Sequence, residues 1–396
     1  MYKSLEALGP EHEYAVVDEE LQPLPIVDKV IKHLSGRIQN NVVFERFAFG
    51  KELQCHVAEL KSNRPFRSPL TFEETMHEGV VEISEILERN FGANLLGSGM
   101  HPSLKVEAAR IWPHRDRGIY DALAQIFNLK QHGWLNIQSY QLNLPYGDER
   151  ETVKLHNILA NILPYLPALS ASSPIYESRI GPFVDNRLHF YSINQAKVPS
   201  IVGDVIPEYI ESFNDYRKRT IENYSKQLLK AGASPAIINK EWINSRGAIL
   251  RFDRKAIEVR IMDEQECIKA DVALSCFIRA TLRGFLEEIE PHQSHNLLVT
   301  DFKAVVRNGL DARTCHPEAP TARGVCRWLH RIAEKNADDE EKRYLWLIKR
   351  RIEEGNLSNL IRRDVEKRSR RTDLEEAILD VYSKLVESLR RNQIYS

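Results

Sequence analysis

The chain has 396 residues, 42% of them hydrophobic and 28% charged, which is enough apolar material for a substantial core and argues against a disordered polymer. Its 55 basic and 56 acidic residues give a net charge of -1, so no overall basic field recruits nucleic acid or anionic lipid. The N-terminal stretch lacks an apolar core of signal-peptide type, and no run approaches the roughly 20 apolar residues of a membrane span, which points to a soluble cytoplasmic protein. Its five cysteines, Cys55, Cys267, Cys276, Cys315 and Cys326, are odd in number and include no Cys-x-x-Cys. They read as reduced thiols and not as a disulfide framework or a zinc site.

Residues 8–17 carry Glu11 and Glu13 two apart, ahead of a β-prone apolar tail. On a strand both carboxylates face one way, while His12 and Tyr14 face the other, so His12 reads as packed and not as a ligand. Two like charges side by side repel, which makes the pair either a solvated edge or a cation site. A short helix follows at residues 26–34. Residues 52–61 read as a strand with Glu59 and Lys61 on the face of Val57, and Ala58 and Leu60 on the other. In the polar turn behind it, Arg64 and Arg67 either hold an anionic ligand or decorate a loop. Thr71 and Glu74 fit a capping box that opens a helix, with Met76, Val80, Ile83 and Leu87 as its buried stripe. Residues 92–100 suit a buried strand ending in a turn; their glycines match neither nucleotide-binding fingerprint.

Residues 138–146 alternate again, with Gln141 and Asn143 on one face and Tyr140, Leu142 and Leu144 on the other. An amphipathic helix over residues 149–163 leads into a proline-punctuated, serine-rich corner. The strand-like run 181–191 offers Arg187 as an anion contact. Residues 207–231 are charged and helical, with Tyr209, Phe213, Tyr216, Ile221 and Tyr224 as a packing stripe. No basic cluster accompanies these aromatics, so they do not form a base-stacking platform. Within residues 257–261, Ile257, Val259 and Ile261 share one face, Glu258 and Arg260 the other. Beyond Ile268 the chain reads as helices at 271–289, 323–333, 340–354 and 373–391. The basic run at 367–371 has acidic neighbours and reads as a solvated helix end. This divides the chain into a sheet region, residues 1–270, and a helical region, 271–396, packed on the same domain. The helical region either closes the back of the sheet or forms a homo-oligomer interface.

Collected, the polar faces present Glu11, Glu13, Glu59 and Glu258 with the amides of Gln141 and Asn143. This hard oxygen set suits magnesium or manganese and not zinc. Ions held by so many carboxylates commonly hold phosphate oxygens as well, which points to nucleotide chemistry without a P-loop.

From about Gly9 to about Asp271 the chain resembles the type 2 glutamate–cysteine ligases, or carboxylate–amine ligases, of the glutamine synthetase-like superfamily. The motifs that carry the resemblance are Gly9-Pro10-Glu11-His12-Glu13-Tyr14, Glu59-Leu60-Lys61 with Arg64-Pro65-Phe66-Arg67, His101-Pro102-Ser103, the run from Ala168 to Pro174, and Ala256-Ile257-Glu258-Val259-Arg260-Ile261-Met262-Asp263. It implies an α+β fold: a curved, mainly antiparallel sheet backed by helices, with ATP and several magnesium or manganese ions on its concave face. It also implies attack of an amino acid carboxylate on the γ-phosphate of ATP, then displacement of phosphate from the acyl phosphate by an amine. The products would be an amide, in one form a γ-glutamyl amide, and ADP. By matching position Glu11, Glu13, Glu59, Gln141 and Glu258 would hold metal, and Lys61 and Asn143 would contact nucleotide. Arg260 would meet the γ-phosphate, with Arg187 and Arg246 as further phosphate or carboxylate contacts. Many relatives carry His-x-His where this chain has Gln141-Leu142-Asn143; an amide oxygen also serves magnesium. The loss of both histidines leaves two alternatives to a ligase: a non-catalytic nucleotide- or partner-binding relative, and a small-molecule phosphotransferase on the same fold.

Overall fold

Segments that alternate between apolar and polar side chains become strands, and eight of them form one sheet in the computed structural model, which describes residues 2–287 and 293–396. In chain order these begin with β1 (Gly9–Val17), β2 (Asn41–Val43), β3 (Phe47–Lys51), β4 (Val57–Ser62), β5 (Asn94–Leu96) and β6 (Ser139–Pro145). A separate two-stranded pair, β7 (Ile175–Tyr176) and β8 (Arg179–Ile180), precedes the last two strands of the main sheet, β9 (Ala248–Arg251) and β10 (Ala256–Asp263). The order across the sheet is β2-β3-β4-β1-β6-β10-β9, with β5 paired to the C-terminal end of β1. These ladders are antiparallel, and β10 shifts register against β6 between Val259 and Met262.

One face of the sheet is apolar. His12, Tyr14, Leu60, Tyr140, Leu142 and Val259 are buried, and most of them join the main core with the helices Pro69–Phe91 and Ile268–Glu287. The Ile268–Glu287 helix is buried nearly all round, as a helix in the middle of a core must be. It is tied to the sheet where the Tyr140 hydroxyl meets Ser275 Oγ at 2.5 Å. The expected stripe of Met76, Val80, Ile83 and Leu87 is fully buried.

Several boundaries differ from the sequence reading, each for a local reason. The helix expected to open at Thr71 starts at Pro69, because Ser68 Oγ accepts the Thr71 N–H at 3.2 Å and proline fits the first helical turn. The strand expected over 52–61 is broken: β3 ends at Lys51, residues 52–56 turn the corner, and β4 begins at Val57. Arg187 lies on the helix Asn186–Ile193 and not on a strand, because the Asp185 side chain caps that helix by accepting the Leu188 N–H at 2.8 Å. The helix expected from residue 207 starts at Phe213 and carries a wide turn over Arg217–Glu222. Helices stand at Ile268–Glu287, Ala322–Asn336, Asp339–Glu354 and Leu374–Arg391, near the four expected ones; the expected end at Ile289 lies outside the described residues. His295–Asn308 and Leu357–Arg368 are two further helices.

The C-terminal helices are locked to the sheet by a buried arginine. Arg351 Nη1 donates to the Gln265 amide oxygen at 2.7 Å and the Leu169 carbonyl at 3.1 Å, and Nη2 pairs with Glu266 at 2.9 Å. Among the described residues no helix is long and apolar enough to cross a membrane. Cys55, Cys267, Cys276 and Cys326 are buried free thiols, and Cys315 is an exposed one.

Candidate active site

The polar face of the sheet is assembled by register. On β1, Glu13 stands opposite Glu59 of β4, and Glu11 stands opposite Lys61 of β4 and Gln141 of β6. One strand further, Asn143 stands opposite Glu258 of β10. Directly opposed side chains are roughly 5 Å apart, so period-two alternation turns four dispersed segments into one continuous acidic surface. Glu11 and Glu13 are 9% exposed, Glu59 8% and Glu258 0%, so these carboxylates are not a solvated edge.

Crowding and burial perturb the group. Burial pushes Glu13 up to about 7, against the pull of Arg187 and the Ser139 N–H, which donates to its Oε2 at 2.7 Å. Burial, then the neighbouring Glu11, push Glu59 up to about 8 despite Lys61. Burial also favours the protonated form of Glu11, but the charges of Arg254 and Lys61 outweigh it and hold this carboxyl below the usual range. A fifth carboxylate, Glu52, joins them; burial and then Glu13 push it up to about 8. It follows Gly50 by two positions just beyond β3, and Gly50 is the partner of Glu59. A Cβ on Gly50 would lie 2.4 Å from Asn41 Oδ1 and 3.3 Å from Glu59 Oε2, so glycine there leaves room for the acid. The available signal was the Gly-x-Glu spacing at the end of an alternating run, which a single strand over 52–61 conceals.

Cations interleave with the acids. Glu258 accepts from Arg260 Nε at 2.9 Å and from Arg260 Nη2, and it also accepts from Arg251. Arg260 Nη1 donates to the Asn244 carbonyl at 3.0 Å. Arg254 pairs with Glu11, and Lys61 with Glu59. Arg251 and Arg254 escaped the sequence reading; Arg251 ends β9 and Arg254 lies in the turn at residues 252–255 that delivers β10 to the site. Arg187 supports β10 from the side: Nη1 donates to Asp263 Oδ1 at 3.2 Å and to the Ile261 carbonyl, and Nη2 to the Arg260 carbonyl at 3.2 Å. Arg246 is engaged elsewhere, in a two-pronged pair with Glu208 at 2.7 and 2.9 Å. Arg67 pairs with Glu6 at 3.0 Å.

Behind this surface, His12 Nδ1 lies 3.3 Å from Glu264 Oε1 and 3.4 Å from Asp271 Oδ2. Burial alone would lower His12, but Glu264 and Asp271 raise it to about 9. Glu264 Oε2 also accepts the Glu13 N–H at 3.0 Å, so the charge cluster on the apolar side touches the backbone of the acidic side.

The two amides differ. Gln141 Nε2 donates to Glu13 Oε1 at 2.9 Å and to Ser139 Oγ at 3.1 Å. Asn143 Nδ2 donates to Glu11 Oε1 at 2.9 Å, and Asn143 Oδ1 is buried with no partner among the described residues, on the strand position opposite Glu258. An orphaned acceptor among buried carboxylates is costly unless a cation meets it. The donor set therefore fits magnesium or manganese.

A cavity adjoins each end of the acidic surface. One, of about 440 Å³, is lined by Glu11, Lys61, Asn143, Pro65 and Arg254. The other, of about 360 Å³, reaches Glu13 and Glu52.

Residues 7–382 match the profile of glutamate-cysteine ligase family 2. An uncharacterized protein of Archaeoglobus fulgidus is 45% identical over 388 residues, covering 98% of this chain and 100% of its own. The crystal structure of glutamate–cysteine ligase from Francisella tularensis in complex with AMP superposes with a TM-score of 0.66 at 12% identity, over 98% of this chain and 90% of that one. A bifunctional glutathione synthetase from Pasteurella multocida gives 0.64 at 14% identity, over 96% of this chain and 52% of that one. At such identities the structures show a shared fold, of the glutamine synthetase-like type, while the family profile spans nearly the whole sequence. The chain belongs to glutamate-cysteine ligase family 2.

Proposed function

We propose that the protein is an ATP-dependent carboxylate–amine ligase that forms an amide, in one form a γ-glutamyl amide, through an acyl phosphate. The observation that carries this reading is the convergence of the buried Glu11, Glu13, Glu59 and Glu258, with the half-buried Glu52, on one face beside Arg260. Phosphoryl transfer concentrates negative charge on oxygen, and a protein catalyses it by positioning and by electrostatic neutralisation. A magnesium or manganese ion, when held by Glu11, Glu13, Glu59, Glu258 and Asn143 Oδ1, would supply part of that neutralisation. Arg260 supplies more from the chain itself, in a guanidinium oriented by Glu258 and the Asn244 carbonyl. Lys61 and Arg254 line the larger cavity, where they suit the oxygens of a triphosphate. The AMP bound by the Francisella relative supports an adenine nucleotide in that role.

Purified protein incubated with ATP, magnesium and pooled amino acids tests the reading. ADP together with a new amide in the mass spectrum is the expected result. ADP with a phosphorylated small molecule would replace it with a phosphotransferase, and nucleotide binding without turnover would replace it with a non-catalytic relative.

A further inference from the structure

The two cavities beside the acidic surface have opposite character. The larger carries two cations, Lys61 and Arg254, against the single acid Glu11 among its walls. The smaller carries Glu13 and Glu52 beside a Lys51–Asp116 pair, in which Lys51 Nζ bonds the Tyr120 hydroxyl, lies 3.6 Å from the Asp116 carboxylate and stands 4.7 Å over the Tyr120 ring. Apart from Gln54 and Tyr120, the rest of its wall is apolar, formed by Leu53, Ile119, Leu123, Trp134, Ile137 and Trp242. Several of these are not sealed in the core: Ile119, Trp134 and Ile137 are half-buried, and Trp242 is 37% exposed. Trp242 also belongs to the segment gripped by Arg260, whose Nη1 reaches the Trp242 and Asn244 carbonyls.

An acidic mouth repels a free carboxylate and attracts an ammonium group, and aromatic rings beside it favour a cation further. An apolar wall is satisfied only by an apolar body. We infer that the smaller cavity receives the amine reactant, and that this amine carries an apolar body of several carbons, aliphatic or aromatic, with its nitrogen toward Glu52. The inference rests on the ligase reading for its chemistry but on the cavity alone for its specificity. Once the ammonium has lost a proton to solvent, the nitrogen lone pair forms the C–N bond to the acyl phosphate carbon. The C–O bond to phosphorus-bound oxygen breaks, phosphate leaves with that electron pair, and the second proton on nitrogen passes to phosphate or water. A small acceptor such as ammonia or cysteine would leave most of the apolar wall against water.

The test uses the intact protein and a series of straight-chain amines from ethylamine to hexylamine, with 2-phenylethylamine and cysteine alongside. Binding is read by calorimetry and by the fluorescence of Trp134 and Trp242, and turnover is read as ADP and amide in the presence of ATP, magnesium and pooled amino acid carboxylates. Affinity is expected to rise on the order of fourfold per added methylene until the cavity is full. Trp242→Ala is expected to weaken hexylamine at least about tenfold while leaving the KM for ATP unchanged. A flat series, with cysteine or ethylamine bound as well as hexylamine, overturns the inference even if an amide is made. A rising series without ADP or amide from any carboxylate keeps the cavity assignment and overturns the ligase reading instead.

Discussion

Glu258 and Arg260 project from the same face of β10 and bond each other directly, so the guanidinium is oriented before any substrate arrives. Arg260→Ala is expected to lower the rate of amide formation about 100- to 1000-fold, the usual cost of one preorganised electrostatic contact, with an unchanged circular dichroism spectrum. Near-normal turnover would remove Arg260 from the chemistry. Asn143→Ala deletes the orphaned oxygen and is expected to raise the magnesium concentration for half-maximal activity by about tenfold, a typical loss when a metal contact is removed. The acids also predict a pH dependence. Glu13 is raised to about 7, and Glu52 and Glu59 to about 8, from an ordinary 4.5. Between these limits the folded chain holds more protons than the unfolded one, so metal-free stability falls as pH rises through that window. Magnesium competes with those protons, and the rise in Tm it produces should be larger near pH 8 than near pH 6. A larger rise at the lower pH would contradict the assignment of these carboxylates to a cation. At this scale the sequence was most legible where one strand carried two acids in phase, as at Glu11 and Glu13. It was least legible at Glu52, Arg251 and Arg254, which reach the site from strand ends and turns where no alternation announces them.

Strands and helices were legible in existence more than in extent. β1 and β6 follow their period-two patterns closely, and β10 does so up to its register shift after Val259, because each has one polar and one apolar face. The helices at Pro69 and Asn186 were displaced or missed because their starts depend on Ser68 and Asp185, each a single side chain bonded to an N–H three residues on. Ser68→Ala is therefore expected to cost about 1 kcal/mol of stability in urea unfolding. The same element scale governs His12, which sits on the apolar side of β1 between Glu264 and Asp271. His12→Phe leaves two buried carboxylates without their cation, and a loss of roughly 3–5 kcal/mol is expected in the same measurement. A loss below about 1 kcal/mol would mean that the two acids are protonated in the fold and need no partner.

For the molecule as a whole, composition argued against a basic field, and the ordered motifs pointed to the family that the profile match establishes. The placement of the C-terminal helices was beyond the sequence, because it depends on contacts such as Arg351 with Glu266 that join residues far apart in the chain. With the Ile268–Glu287 helix in the centre of the core, a fragment of residues 1–270 is expected to remain unfolded by circular dichroism and proteolysis. A soluble, protease-resistant fragment would make the two regions separate domains. β1 adds one more consequence. It is paired on both sides, and its two faces carry opposite chemistry, so the segment has a phase. Deleting one residue inside the strand, between Glu11 and Tyr14, would put the segments on either side of the cut out of phase, so that the acids and the core side chains could not all keep their faces, whereas deleting two would preserve the alternation. Length changes in this strand should therefore be tolerated by parity, a constraint that substitution alone would never reveal.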